Sequence, residues 1–256
     1  MLKKTMILSL AALAAAPLMA IQGTIFTEVD HKSGDIKWQP RAKAYLVSFK
    51  KGNTEVSAEF KASDVTRLDI PKPAGYDKAV EQVVKGQGAA AIATLAKIVS
   101  DYRMLYWDRP AGRYLVLAYI AAGQAQKGYD VCAGIISEDK AAEWSGELAP
   151  AYWQVLLKLG KKDKLESVLK KAVSSGNRAS AAAALSMRGD IIMAEGDAPD
   201  VTKRALRDGY LRTVLMFTDE ACVQERAEAM AKAAACFDKL GQASRAERLR
   251  SQARAL

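Results

Sequence analysis

Residues 111–136, AGRYLVLAYIAAGQAQKGYDVCAGII, carry two apolar stripes separated by a glycine. Leu115, Val116 and Tyr119 recur at helical spacing before Gly123, and Val131, Ile135 and Ile136 follow it. The short Ala122-Gly123-Gln124 link predicts a tight reversal, because glycine enters left-handed backbone without a Cβ clash. Two short helices folded back on each other cannot bury both apolar faces alone, so this hairpin requires neighbours.

The chain supplies them. Apolar helical segments end in glycine at Gly86, Gly123, Gly160, Gly196 and Gly241, at intervals of 37, 37, 36 and 45 residues. They read AVEQVVKG, LAYIAAG, WQVLLKLG, DIIMAEG and ACFDKLG, and second helical segments such as AAAIATLAKIV, KDKLESVLKKAV and SRAERLRSQARA follow. Intervals in this range mark a stacked array of helix pairs. The last interval predicts a longer loop or helix around Asp197–Thr218, with the second helix of the fourth pair starting late, near Ala205.

On these residues, positions 73–256 resemble the tetratricopeptide repeat (TPR) family. That family places a small residue mid-helix, an aromatic three residues on, a turn glycine four later and an alanine five after that. Ala234, Phe237, Gly241 and Ala246 fit the pattern throughout. The second repeat has Leu115, Tyr119 and Gly123, with Gly128 where alanine is usual; the first has Ala79, Gly86 and Ala91, with Gln82 in the aromatic place. The third departs from it, with Trp153 at the small position and Leu165 at the alanine one, and the fourth keeps Gly189 and Gly196. The resemblance implies a mainly α chain, a TPR-like α-solenoid of about five helix pairs, whose first helices line a concave groove. Counting back from the glycines then places Tyr76, Val80, Arg113, Leu117, Gln154, Lys158, Ser186 and Asp190 toward that groove. Such a mixture of apolar and polar groups suits a peptide or a partner helix. Tyr119, Trp153 and Phe237 are expected in the core, filling holes that small neighbours leave.

Residues 21–72 follow period two instead. Tyr45, Val47 and Phe49 form one alternating run and Val56, Ala58 and Phe60 another, with a hairpin at Lys51-Gly52-Asn53. Thr24–Val29 predicts an earlier strand, Ser33-Gly34-Asp35 a turn into a strand around Ile36 and Trp38, and Asp64–Ile70 a last short one. Pro71 and Pro73 end the pairing. About five short strands suggest a small antiparallel β domain similar to SH3-like or Sm-like barrels, acting as a ligand site or as a cap on the array. His31, the only histidine, reads as a surface residue in Asp30-His31-Lys32.

The first 20 residues, MLKKTMILSLAALAAAPLMA, have the layout of a secretory signal peptide: Lys3 and Lys4, an apolar run from Met6 to Ala16, then Pro17 and a small Ala20 for cleavage. That run is short for a membrane span, which needs roughly 20 apolar residues. The mature protein is therefore expected to have no membrane span and to be periplasmic or secreted. Such a compartment permits disulfides, but Cys132, Cys222 and Cys236 do not form a framework and read as buried thiols.

The chain carries 38 Lys and Arg against 29 Asp and Glu, a net +9 with an isoelectric point near 9.4. Most basic residues are interleaved with acids and read as a solvated face. The exception, Arg245, Arg248, Arg250 and Arg254, also favours the final helix dipole. These arginines raise the alternative of an envelope anionic polymer, such as a wall polymer or lipopolysaccharide, as ligand. No nucleic-acid partner is expected.

The sequence has no GxSxG, HExxH, CxxC or P-loop pattern, and a single histidine leaves no multi-histidine metal site. No enzyme activity, catalytic residue, cofactor or metal is therefore expected. The aromatic stretch Met104–Pro110 either seals the junction between the first two pairs or, exposed, anchors a partner or glycan. The sum is a non-catalytic scaffold of the bacterial cell envelope that binds a protein or peptide partner.

Overall fold

The structure, a computed structural model, describes residues 20–256. The expected leader thus lies outside the described residues, apart from Ala20. The chain divides into two compact units between Asp69 and Ile70.

The first unit is a five-stranded sheet of β1 (Ile21–Thr27), β2 (His31–Gln39), β3 (Ala44–Lys51), β4 (Thr54–Lys61) and β5 (Val65–Asp69). Every pairing is antiparallel, and the order is β4-β3-β2-β1-β5. The chain reaches β5 through a 3-10 turn at Ala62–Asp64 and returns beside β1. Alternation buries Ile36 opposite Val47 and Trp38 opposite Tyr45, whose rings lie 4.9 Å apart. Lys51 pairs with Thr54 across the two-residue Gly52-Asn53 turn.

Two details differ from the expected strand boundaries. Ser33-Gly34-Asp35 is not a turn but lies inside β2. The reversal falls at Glu28–Asp30, where the Thr27 N–H donates to Asp30 O at 2.8 Å and the Asp30 N–H to Thr27 Oγ1 at 3.1 Å. Gly34 is needed for a close strand approach, since a Cβ there would stand 2.3 Å from Ser48 O. His31 opens β2, exposed, with its ring stacked on Phe26 at 5.7 Å.

The second unit is an array of five helix pairs. These are α1 (Tyr76–Val84) with α2 (Gly88–Asp101), α3 (Asp108–Ala121) with α4 (Ala125–Glu138), and α5 (Ala149–Lys158) with α6 (Lys162–Ser174). In the fourth pair α7 (Arg178–Met193) meets α8 (Pro199–Ala205), which continues through a π turn at Leu206–Tyr210 into α9 (Leu211–Met216). The fifth joins α10 (Val223–Lys239) to α11 (Ala243–Arg254).

The recurring glycine closes the first helix of each pair. At Gly123, with φ +71°, the glycine N–H donates to Ile120 O at 3.1 Å and the Gln124 N–H to Tyr119 O at 2.8 Å. These two hydrogen bonds satisfy two carbonyls that the helix end leaves unpaired. The same two bonds recur at Gly86, Gly160 and Gly241. Gly196 keeps only the bond to Met193 O and sits at φ +143°, where the loop to the next helix is different.

Each second helix packs against its own partner and the first helix of the next pair, while α1, α3, α5, α7 and α10 contact one another in succession as an inner layer. Small residues permit the closest crossings. A Cβ on Gly88 would meet Ala118 at 3.1 Å, and one on Gly209 would stand 2.5 Å from the Gly189 backbone. The start of the fourth second helix is earlier than expected: it begins at Pro199, where proline suits a first helical position, and the π turn lies near Ala205.

In the third pair the large Trp153 fits because the 3-10 turn Lys140–Glu143 turns its chain toward the indole, whose Nε1–H donates to Glu143 O at 2.9 Å. Tyr119 is only partly buried, whereas Trp153 and Phe237 lie in the core. Cys132, Cys222 and Cys236 are all buried free thiols. Burial pushes Cys132 up to about 12, and burial with the nearby Asp219 pushes Cys222 up to about 11.

Two alanine substitutions separate the roles of the glycines. Gly123→Ala meets no atom within 4 Å and suffers only from its positive φ, at a cost of about 1–2 kcal/mol. Gly209→Ala must push backbone apart, at about 3 kcal/mol or more. Urea unfolding of both variants checks the order; equal losses would show that the fourth pair does not cross at this spacing.

Candidate partner-binding groove

The inner layer brings residues from four pairs together. Arg113 and Leu117 of α3, Gln154 of α5, and Ser186 and Asp190 of α7 line one cavity of about 40 Å³ with Glu225, Glu228 and Lys232 of α10. An adjoining cavity of about 140 Å³ shares Arg113, Pro150, Trp153, Ala183 and Glu225 and adds Glu147 and Gln224. Five of the eight residues expected in the groove therefore meet at one place. Tyr76 opens α1 and packs its ring on Trp107 at 5.1 Å and Tyr114 at 6.4 Å, within electrostatic reach of Arg113 and Glu147. Val80 is partly buried on α1, and Lys158 is exposed at the end of α5; neither lines these cavities.

Charge organises the site. Arg113 Nη2 donates to Glu228 Oε1 at 2.6 Å, joining α3 to α10 across 115 residues of chain. Lys232 Nζ donates to Asp190 Oδ2 at 2.6 Å, and the Tyr210 hydroxyl donates to Asp190 Oδ1 at 2.7 Å. Both cations are thus held by carboxylates. Glu147 and Glu225 have no ion-pair partner within 4 Å among the described residues, and burial pushes both carboxyls above the usual glutamate range despite the nearby Arg113. Ser186 is buried, and its Oγ has no hydrogen-bond partner among the described residues.

The aromatic stretch divides between a packed ring and an exposed one. Trp107 is half-buried against Tyr76, with its Nε1–H donating to Ile70 O at 2.9 Å, and so seals the first junction. Tyr106 is 48% exposed, with φ +74°. The preceding Met104, at φ +59°, donates its N–H to the buried Asp108 Oδ2 at 2.8 Å.

Trp153 forms the wall common to both cavities, and the knot around Glu143 holds it. The buried Glu143 carboxylate takes a hydrogen bond from Lys164, with Lys140 and Lys171 each at 3.6 Å. Burial alone would raise this carboxyl, but the Lys164 bond and the three lysine charges hold it below the usual glutamate range.

No family model matches the chain, and no curated protein matches it. Two solved structures resemble it, both of nearly identical TPR-like repeats of a kinesin light chain-like protein from Podosopora anserina, one with a single substitution. They are 17% and 16% identical, span 71% of this chain and 92% of their own, and superpose with a TM-score of 0.40. The helix-pair architecture of this chain stands on its own turns and inner-layer contacts.

The depressed Glu143 carboxyl sets a pH dependence. Its stabilisation is present above the unfolded glutamate pKa and is lost as pH falls through the lower folded value. Glu143→Gln should lower stability by roughly 1–3 kcal/mol at pH 7. The gap from the parent protein should narrow as unfolding is followed from pH 7 down to about pH 3. A gap that stays constant over that range would remove the lysine knot as its cause.

Proposed function

We propose that the protein is a non-catalytic protein–protein interaction scaffold of the bacterial cell envelope. In this reading residues 1–20 direct export, cleavage follows Ala20, and the mature chain acts in the periplasm or outside the cell. Its concave face holds a peptide or a partner protein. One observation carries the reading most: inner helices of four successive pairs converge side chains on one polar recess. Among the described residues no helix is long and apolar enough to cross a membrane.

The first unit is read as an SH3-like or Sm-like β domain offering a second contact surface. Its strand order, with β5 beside β1 after a 3-10 turn, supports that assignment. The alternative of an anionic polymer or glycan ligand rests on the basic C-terminal helix or on the β domain. Arg250 is paired with Asp238 and Glu247, Arg254 with Glu247, and Arg245 lies over the Phe237 ring. The carboxylate pairs of Arg250 and Arg254 weaken the case for that helix as a polyanion site, while Arg245 and Arg248 are exposed with no ion-pair partner within 4 Å among the described residues.

Cross-linking in intact cells should recover a defined envelope protein, and Leu117→Arg combined with Gln154→Arg, both on the cavity lining, should abolish its recovery while circular dichroism remains helical. Recovery of nothing above background, or undiminished recovery with the folded variant, would reject the scaffold reading.

A further inference from the structure

The chain as a whole is basic, at net +9, but its concave recess is not. Four carboxylates, Glu147, Asp190, Glu225 and Glu228, face two cations, Arg113 and Lys232. The two cations are already engaged by Glu228 and Asp190. The partly buried Glu225 and the more exposed Glu147 at the rim therefore remain without a cation of their own among the described residues. An uncompensated charge there is costly, and an incoming cation relieves the cost.

We infer that this recess receives the side chain of a lysine from a basic segment of the partner protein. The inference rests on the scaffold reading of the same face and names the chemistry that face recognises. The inner cavity is small, about 40 Å³, which favours a compact ammonium over the larger planar guanidinium. Its wall carries Ser186 Oγ, on a residue only 5% exposed and without a hydrogen-bond partner among the described residues. A buried hydroxyl of this kind is costly unless something donates to it or accepts from it, and an ammonium supplies three donors. The outer cavity of about 140 Å³ is lined by Ala149, Pro150, Ala183 and Trp153, apolar groups suited to a four-carbon stem. Glu147 and Glu225 lie on that outer cavity, where they attract the cation.

A divalent metal does not fit the same groups. Among the described residues, no three His, Cys, Asp or Glu side chains are grouped so that they could hold one ion. The carboxylates instead come from two helices, α7 and α10, and the loop before α5, spread along a recess. That spacing suits an elongated cation better than a point ion.

Titration of the isotopically labelled protein with n-butylammonium chloride, followed by NMR, tests the inference. Saturable shifts are expected at the Trp153 indole and the Ser186 amide, weakening as salt rises. Glu225→Gln and Glu147→Gln, which leave both internal ion pairs intact, should each weaken the binding by about tenfold. n-Butylguanidinium should bind less tightly than n-butylammonium. Absence of saturable shifts at Trp153 and Ser186, or equal binding by the folded glutamine variants, would overturn the lysine assignment. The scaffold reading fails separately: a partner cross-linked through this face by a protein that ignores n-butylammonium leaves the scaffold standing and removes the lysine.

Discussion

A helix pair in this array must reverse direction within about three residues without leaving its last carbonyls unpaired. The left-handed glycine meets both demands at once. Its positive φ turns the chain while its own N–H and that of the next residue close bonds back into the helix, as at Gly86, Gly123, Gly160 and Gly241. The rest follows from that geometry. Antiparallel partners bury the faces that neither could bury alone, the next pair covers what remains, and the first helices come to lie side by side.

The inner layer then acquires properties that no single pair has. Arg113 and Glu228 belong to the second and fifth pairs yet share a hydrogen bond, and Asp190 accepts from Lys232 and Tyr210 on separate elements. Packing dictates where backbones may approach, as the Gly189–Gly209 crossing illustrates. Electrostatics dictates what the resulting recess can receive. A basic chain with an acidic recess separates its bulk charge, which governs non-specific association, from the local field at its site.

Much of this was legible in the residues, for a physical reason. The glycine of each turn occupies a conformation that other residues enter at a cost, so the period is written in one letter. Groove positions in α3 and α7 were legible because ten and six residues before the glycine recur on the same helix face. The third pair shows how the counting slips: ten before Gly160 is Pro150, which lines the cavity, whereas Lys158 lies two before it and points away from the lining. Glu225, Glu228 and Lys232 were missed because α10 is longer and its groove residues lie 16, 13 and 9 before Gly241. The early start of α8 escaped notice since Asp200–Arg204 is mostly polar and carries little periodicity. Gly34 looked like a turn signal but answers a strand crossing, a demand made by residues far along the chain.

The central claim is that the inner helix layer forms one surface, closed between α3 and α10. A double-mutant cycle on Arg113→Met and Glu228→Gln, read by chemical unfolding, measures that closure directly. The expected result is a coupling of about 1 kcal/mol between residues 115 positions apart in sequence. A coupling indistinguishable from zero would contradict it.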